Sequence, residues 1–142
     1  MNIKVKLAAI LLCAGVLLSI PITYLYHHTN APAYDLQVGQ ERSFEHPGIL
    51  DQQSIYPNNK QLWAVVIYPD NDDKMPAAMS RVYVIAKATS RIIQEQSLKE
   101  SSDTAAEEIP LHNSSWPSGD YAVCFEKNNH IIKQVDFTLQ SL

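Results

Sequence analysis

The chain has 142 residues, of which 46% are hydrophobic and 18% charged, and its formal net charge is −4. This length suffices for one domain and not for two of ordinary size. All fifteen acidic residues follow an apolar N-terminal segment that Lys4 and Lys6 precede. Without those two lysines, nine of the eleven basic residues remain, so the rest of the chain has a net charge of −6. An acidic domain without a basic cluster argues against nucleic acid or anionic lipid as a partner.

The apolar segment, residues 7–26, contains no charged side chain and is dominated by Leu, Ile, Ala and Val. Twenty residues of helix rise about 30 Å, the thickness of a bilayer's hydrocarbon core. The two preceding lysines are expected to stay cytoplasmic. We therefore predict a signal anchor over residues 1–26, which contacts the inner (plasma) membrane through residues 7–26. The C-terminal domain is then extracytoplasmic, and periplasmic if the organism is bacterial.

A cleavable signal peptide is the alternative interpretation of the same segment. Residues 31–33, Ala-Pro-Ala, have the small-x-small form of a cleavage site, so that the peptide would end at residue 33. The apolar run is longer than the 7–15 residues usual in such peptides, which favours the anchor. Residues 27–35 are polar and contain proline, as expected of a tether, and residues 36–142 form the predicted domain.

The first half of the domain contains one strong strand signal. Residues 61–68 are a nearly continuous apolar run, typical of a strand that is covered on both faces, and we expect Trp63 to lie in the core. Residues 36–39 predict an edge strand, and residues 51–60 are polar with a turn at Pro57-Asn58-Asn59. Residues 69–73 are acidic but lack the Gly and Glu of a calcium-binding loop, which favours a solvated turn.

Residues 76–98 permit two interpretations. The strand-forming cluster Val-Tyr-Val-Ile at residues 82–85 favours a hairpin of two strands, residues 81–88 and 91–98. Apolar residues also recur at helical spacing, so a helix from residue 76 to residue 98 is the alternative. A further strand is predicted over residues 106–112.

The end of the chain has the clearest local pattern. Apolar and polar residues alternate over residues 121–126 and again over residues 135–140, which puts one face of each strand into a core. Between them lie Asn128 and Asn129, which tolerate positive φ and suit a tight turn. The pattern predicts a β-hairpin.

Residues 116–123, Trp-Pro-Ser-Gly-Asp-Tyr-Ala-Val, resemble the turn and penultimate strand of immunoglobulin-like and fibronectin-III-like domains, and residues 132–139 resemble their closing strand. The resemblance implies an all-β, antiparallel sandwich and no particular activity. It also implies that Tyr121 is a tyrosine-corner residue. Trp116 and Tyr121 are the candidate binding residues, although a core role for Trp116 is favoured over stacking on a ligand.

Two departures from antibody domains concern cysteine. Cys124 comes three residues after Tyr121 rather than two, and the predicted domain has no second cysteine to bridge its sheets, since Cys13 lies in the apolar segment. With no basic neighbour in sequence, Cys124 is expected to be a small buried hydrophobe rather than a reactive thiol.

No motif in the sequence indicates catalysis. A nucleophile elbow and the glycine-rich phosphate loops are absent, and His46, His112 and His130 are far apart in sequence. We expect no catalytic residue, metal or cofactor. The expected function is that of a non-catalytic accessory subunit, which binds a protein partner in a membrane or cell-envelope assembly. The alternative is a cleaved, secreted or periplasmic binding module such as an inhibitor, an immunity protein or a carbohydrate binder.

Overall fold

The structure is a computed structural model that describes residues 34–69, 80–98 and 104–141. These residues belong to one compact unit, Ala33–Leu142. The predicted anchor, residues 1–26, and all of the predicted tether except residues 34 and 35 lie outside the described residues. Within the described ranges, no helix is long and apolar enough to span a bilayer.

The described residues form eight strands arranged in two sheets. In chain order they are β1 (Asp35–Gly39), β2 (Ile55–Pro57), β3 (Leu62–Ile67), β4 (Ser80–Ala86), β5 (Arg91–Leu98), β6 (Ala106–Leu111), β7 (Gly119–Lys127) and β8 (His130–Gln140). One sheet has the order β1-β3-β6 and the other the order β2-β8-β7-β4-β5. Neighbouring strands are antiparallel except for β2 and β8, which are parallel. The predicted all-β class is confirmed.

The core lies between the two sheets and follows from the period-two alternation of their strands. Val82 and Val84 of β4, with Val123 and Phe125 of β7, point into it from the five-stranded sheet. Leu62, Ala64 and Val66 of β3 point into it from the three-stranded sheet. Val65, on the opposite face of β3, is also fully buried, so the prediction of a strand covered on both faces is confirmed.

The structure decides between the two interpretations of residues 76–98. β4 and β5 form the hairpin, and the helical alternative is wrong. β-branched residues fit the pleated, half-buried surface of a sheet better than a helix. Ser90, in the turn between the strands, has a positive φ of 53°.

Two expectations for the first half of the domain need correction. Residues 51–60 contain a short strand, β2, that their polar composition concealed. Trp63 is half-buried outside the core, where the Arg42 guanidinium lies 3.7 Å from the centroid of its ring. A continuous apolar run does not reveal which of its side chains face the core, because both sets are hydrophobic.

The final hairpin and its turn are confirmed. β7 and β8 pair around Asn128 and Asn129, whose φ values are 52° and 63°. Asparagine reaches this left-handed region at a lower cost than most residues. The pairing shifts register between Phe125 and Glu126, which marks a β-bulge near the turn.

The tyrosine corner is also confirmed. Tyr121 Oη donates a hydrogen bond to the Pro117 carbonyl oxygen at 2.6 Å. The Tyr121 ring stacks between Trp116 and Phe137, with centroid distances of 5.3 and 5.6 Å. The corner therefore ties the turn before β7 to the apolar core.

Tyr56 of β2 joins the two sheets. Its fully buried hydroxyl donates to the Val38 carbonyl oxygen of β1 at 2.6 Å and accepts from the Gln53 amide at 2.8 Å. Because β2 belongs to the five-stranded sheet and β1 to the three-stranded sheet, this hydroxyl spans the edge of the sandwich.

Replacing Tyr56 with phenylalanine leaves a buried carbonyl and an amide without this partner. We expect Tyr56→Phe to lower the free energy of unfolding by about 1–3 kcal/mol, measured by urea denaturation of the full chain. Tyr121→Phe, which removes one hydrogen bond, is expected to cost less. An unchanged unfolding midpoint for Tyr56→Phe would show that its hydroxyl does not hold the sheets together.

Candidate interaction surface

The structure places both predicted binding residues in the core. Trp116 and Tyr121 are buried, and their rings are stacked on each other as described above. They hold the turn before β7, and a ligand-binding role for them stays a prediction.

Cys124 lies on the outer face of the five-stranded sheet, beside Tyr83 and Ala122. Its side chain is fully buried, with Sγ 3.7 Å from Gln134 Oε1, and it forms no disulfide. Burial raises the pKa of the Cys124 thiol, which favours the protonated form. This thiol is a poor nucleophile.

The three histidines of the domain do not meet. His46 lies beside a shallow cavity of about 510 Å³, which Glu45 and Glu108 also line. His112 follows β6, and His130 opens β8 on the other sheet. In the parts of the chain that the structure describes, no three His, Cys, Asp or Glu side chains are grouped so that they could hold a metal ion.

An arginine-centred network crosses the outer face of the five-stranded sheet. Arg81 Nε and Nη2 donate to the two carboxylate oxygens of Glu126 at 2.9 and 3.1 Å, and Nη1 donates to Glu95 of β5 at 2.7 Å. The bonds from Arg81 are the main reason why the pKa of Glu126 is lowered. The bidentate geometry fixes the orientation of the guanidinium between three strands.

Most edges of the two sheets carry a feature that hinders pairing with another chain. β2 has only three residues and ends at Pro57. β6 contains Pro110, whose carbonyl accepts a hydrogen bond from Gln94 Nε2 at 2.9 Å. On β1, the Gln37 side chain accepts a hydrogen bond from the Ile49 amide at 2.8 Å, so the following loop lies against this strand. Short strands, prolines and covering loops are the usual protection of sheet edges.

β5 forms the remaining edge, where the Gln94 side chain donates to the Pro110 carbonyl of β6 and accepts from the His112 amide. It has eight residues, Arg91–Leu98, and contains neither proline nor lysine. On the side away from β4, no backbone group of β5 pairs with another strand among the described residues. A long edge of this kind presents a row of free amide and carbonyl groups to another chain.

Two isoleucines near the start of β5 add apolar surface to this edge. The register shifts between Val84 and Ile85 of β4, where the pairing passes from Gln94 to Ile92 and leaves Ile93 as the extra residue. Ile92 is 48% exposed, and Ile93 is also exposed. We call β5 with these side chains the open edge.

Comparison with known proteins supports the fold and gives no function. No family model and no curated protein matches the chain. A crystal structure of an immunoglobulin-like protein from Pseudomonas aeruginosa is similar, with a TM-score of 0.51 and 8% sequence identity over 76% of this chain and 92% of that chain. The domain has an immunoglobulin-like fold. The resemblance seen in residues 116–123 is thereby confirmed at the level of the fold.

Sequence reasoning predicted β5 of this immunoglobulin-like domain but not its position at an edge. That position depends on the order of strands in the sheet, which no local pattern in the sequence encodes. The absence of proline and lysine from residues 91–98 was the available signal.

The Arg81–Glu126 pair predicts an acid-dependent contribution to stability. Because the folded-state pKa of Glu126 is below its usual 4.5, the contribution is present above that usual value and is lost as the pH falls through the folded pKa. We expect the difference in the free energy of unfolding between wild type and Glu126→Gln to shrink towards zero on acidification.

An Arg81→Ala background provides the control, since the ion pair is absent there and the Glu126→Gln substitution should no longer alter the pH dependence. Urea denaturation over a pH series measures both differences. A wild type and a Glu126→Gln variant with parallel pH profiles would contradict the prediction.

Proposed function

We propose that the chain is a non-catalytic accessory subunit of a membrane or cell-envelope protein assembly. Residues 7–26 anchor it in the membrane, and the immunoglobulin-like domain binds a protein partner outside the cytoplasm. The open edge is the observation that carries the proposal, because it is a long edge with free backbone groups and exposed isoleucines.

The open edge favours a partner that contributes an extended segment. Such a segment would add a strand beside β5, so that main-chain hydrogen bonds supply affinity and alternate side chains supply specificity. Eight residues span about 27 Å at roughly 3.4 Å per residue, long enough for several such bonds. Ile92 and Ile93 would pack against apolar side chains of the partner. The charges of Arg91 and Glu95 on the same strand cancel, so β5 carries no net charge that would repel a partner segment.

The side chains that could take part in catalysis support a binding role over a catalytic one. The Cys124 thiol is buried and protonated, and the three histidines lie on separate elements. Sandwiches of this class host many unrelated functions, so these side chains, and not the fold, support the binding role.

A cleaved, secreted or periplasmic binding module is the second candidate. Tyr34 directly follows the small-x-small residues 31–33, and its side chain is buried in the core of the domain. Cleavage after Ala33 would therefore keep this core residue. The mass of the mature protein separates the candidates, since cleavage gives a chain that starts at Tyr34.

The open edge can be tested with two isoleucines of equal exposure. Ile92 on β5 and Ile55 on β2 are both 48% exposed and lie at opposite edges of the same sheet. We expect Ile92→Lys to reduce the recovery of a cross-linked partner from membranes about tenfold, which corresponds to roughly 1.4 kcal/mol of binding free energy. Ile55→Lys should leave recovery unchanged. Quantitative mass spectrometry of proteins cross-linked to the full-length chain measures both.

Equal recovery with wild type and Ile92→Lys would overturn the proposed role of the open edge. Equal losses in both variants would do the same, since they would assign the effect to the added charge and not to β5. If the cross-linked species is a second copy of this chain alone, the chain is a self-associating module and the accessory-subunit proposal fails.

A further inference from the structure

One end of the domain carries exposed apolar side chains beside the point where the chain enters it. Tyr34, the first described residue, lies at this end, which we call the tether end. What the tether end contacts depends on the proposed anchor, which places residues 7–26 in a membrane.

The turn between β7 and β8 lies at the tether end. Lys127, the last residue of β7, donates a hydrogen bond from Nζ to Tyr34 Oη. The Tyr34 ring also packs against Phe125, with centroids 5.4 Å apart. β8 begins immediately after the turn, so Ile131 and Ile132 lie at the same end.

The tip of the loop after β1 reaches the tether end as well. The strand pairs Asp35↔Ile67 and Ile67↔Ala106 place the starts of β1 and β6 at one level of the three-stranded sheet. Residues 43–47 line the shallow cavity together with residues 104–106. The tip, with Phe44, therefore lies beside the start of β6 and at the level of Asp35.

Both segments present large apolar side chains to solvent. Phe44 is 94% exposed, Ile131 is 55% exposed and Ile132 is 38% exposed. The register shift near the turn pairs Phe125 with Lys133 and Glu126 with Ile131, so Ile132 is the extra residue of a bulge and both isoleucines remain outside the core. Bulges at a sheet rim commonly redirect side chains in this way.

We propose that the tether end rests on the lipid bilayer and inserts Phe44, Ile131 and Ile132 into the boundary between headgroups and acyl chains. The predicted tether before Tyr34 supplies the reason for choosing lipid. Residues 27–33 can span at most about 25 Å even when fully extended, which keeps the tether end close to the membrane. Apolar side chains held at that boundary leave water, which favours the contact.

Charge contributes little to this contact. Lys127, His130 and Lys133 lie at this end, and so do Asp35, Glu45 and Glu126. Groups of both signs are therefore present at the tether end, and the domain as a whole is acidic. We therefore expect the same insertion into neutral and anionic bilayers.

Spin labels on the full-length chain test the contact. In a Cys13→Ser, Cys124→Ala background, a nitroxide is attached at Ile132→Cys or Phe44→Cys, and at Ile92→Cys as the control near the far end of the domain. The chain is reconstituted into vesicles of phosphatidylcholine, or of phosphatidylethanolamine with phosphatidylglycerol. We expect the ratio of collisions with oxygen to collisions with a water-soluble nickel complex to be several-fold higher at residues 132 and 44 than at residue 92, in both lipid compositions.

The outcomes separate this inference from the proposed anchor. Equal ratios at residues 132, 44 and 92 in a chain that resists carbonate extraction from the vesicles would overturn the inference and leave the anchor intact. If carbonate extracts the chain from the vesicles, the proposed anchor itself is wrong. A high ratio in the anionic vesicles alone would refute insertion by apolar contact and indicate electrostatic adsorption. If the Ile132→Cys variant shows no cooperative unfolding transition in urea, it is not folded. The Phe44→Cys variant then decides, because its substitution lies at a nearly fully exposed side chain.

Discussion

The rest of the structure depends on closing two sheets over one apolar core without a disulfide between them. Hydrogen-bonded aromatic residues do this at two places. Tyr56 links β2 to β1 through a fully buried hydroxyl, and Tyr121 ties the turn before β7 to the core through its hydroxyl and its stacked ring. Each uses the amphipathic character of tyrosine, which buries a large ring and still satisfies a polar group.

The position of the domain's cysteine agrees with this mode of closure. Antibody domains carry their bridging cysteine two residues after the corner tyrosine, on an inward-facing position of the strand. Here that position is Val123, which is fully buried in the core. Cys124 is one residue further, and the alternation of the strand turns it to the outer face. A shift of one residue therefore changes a potential disulfide into a free, buried thiol.

The same sandwich leaves edges that differ in how they can be used. β2, which carries Tyr56, has only three residues, and proline lies in the edge strands β2 and β6. β5 is the last strand of the five-stranded sheet, at the opposite edge from β2, and contains neither proline nor lysine. At the tether end, the turns that connect the strands expose Phe44, Ile131 and Ile132. Ile92 and Ile93 lie near the start of β5, at the opposite end of the domain from the tether end.

Local patterns in the sequence predicted the elements that depend on neighbouring residues. The β7–β8 hairpin follows from strict alternation around two asparagines, and the β4–β5 hairpin from a cluster of strand-forming residues. β2 was missed because it is three residues long and pairs in parallel with residues 138–140, a contact between distant parts of the chain. The outward orientation of Trp63 was missed because β3 is hydrophobic on both faces. The position of β5 at an edge could not be predicted from the sequence, since strand order is set by tertiary pairing.

The central claim is that β5 offers free backbone groups to a partner. Amide hydrogen exchange of the full-length chain in nanodiscs, read residue by residue along β5 before and after addition of the cross-linked partner, measures this directly. The account predicts that alternate amides of β5 exchange rapidly in the isolated chain and become protected in the complex. Slow exchange along all of β5 in the isolated chain, or protection confined to other strands in the complex, would contradict it.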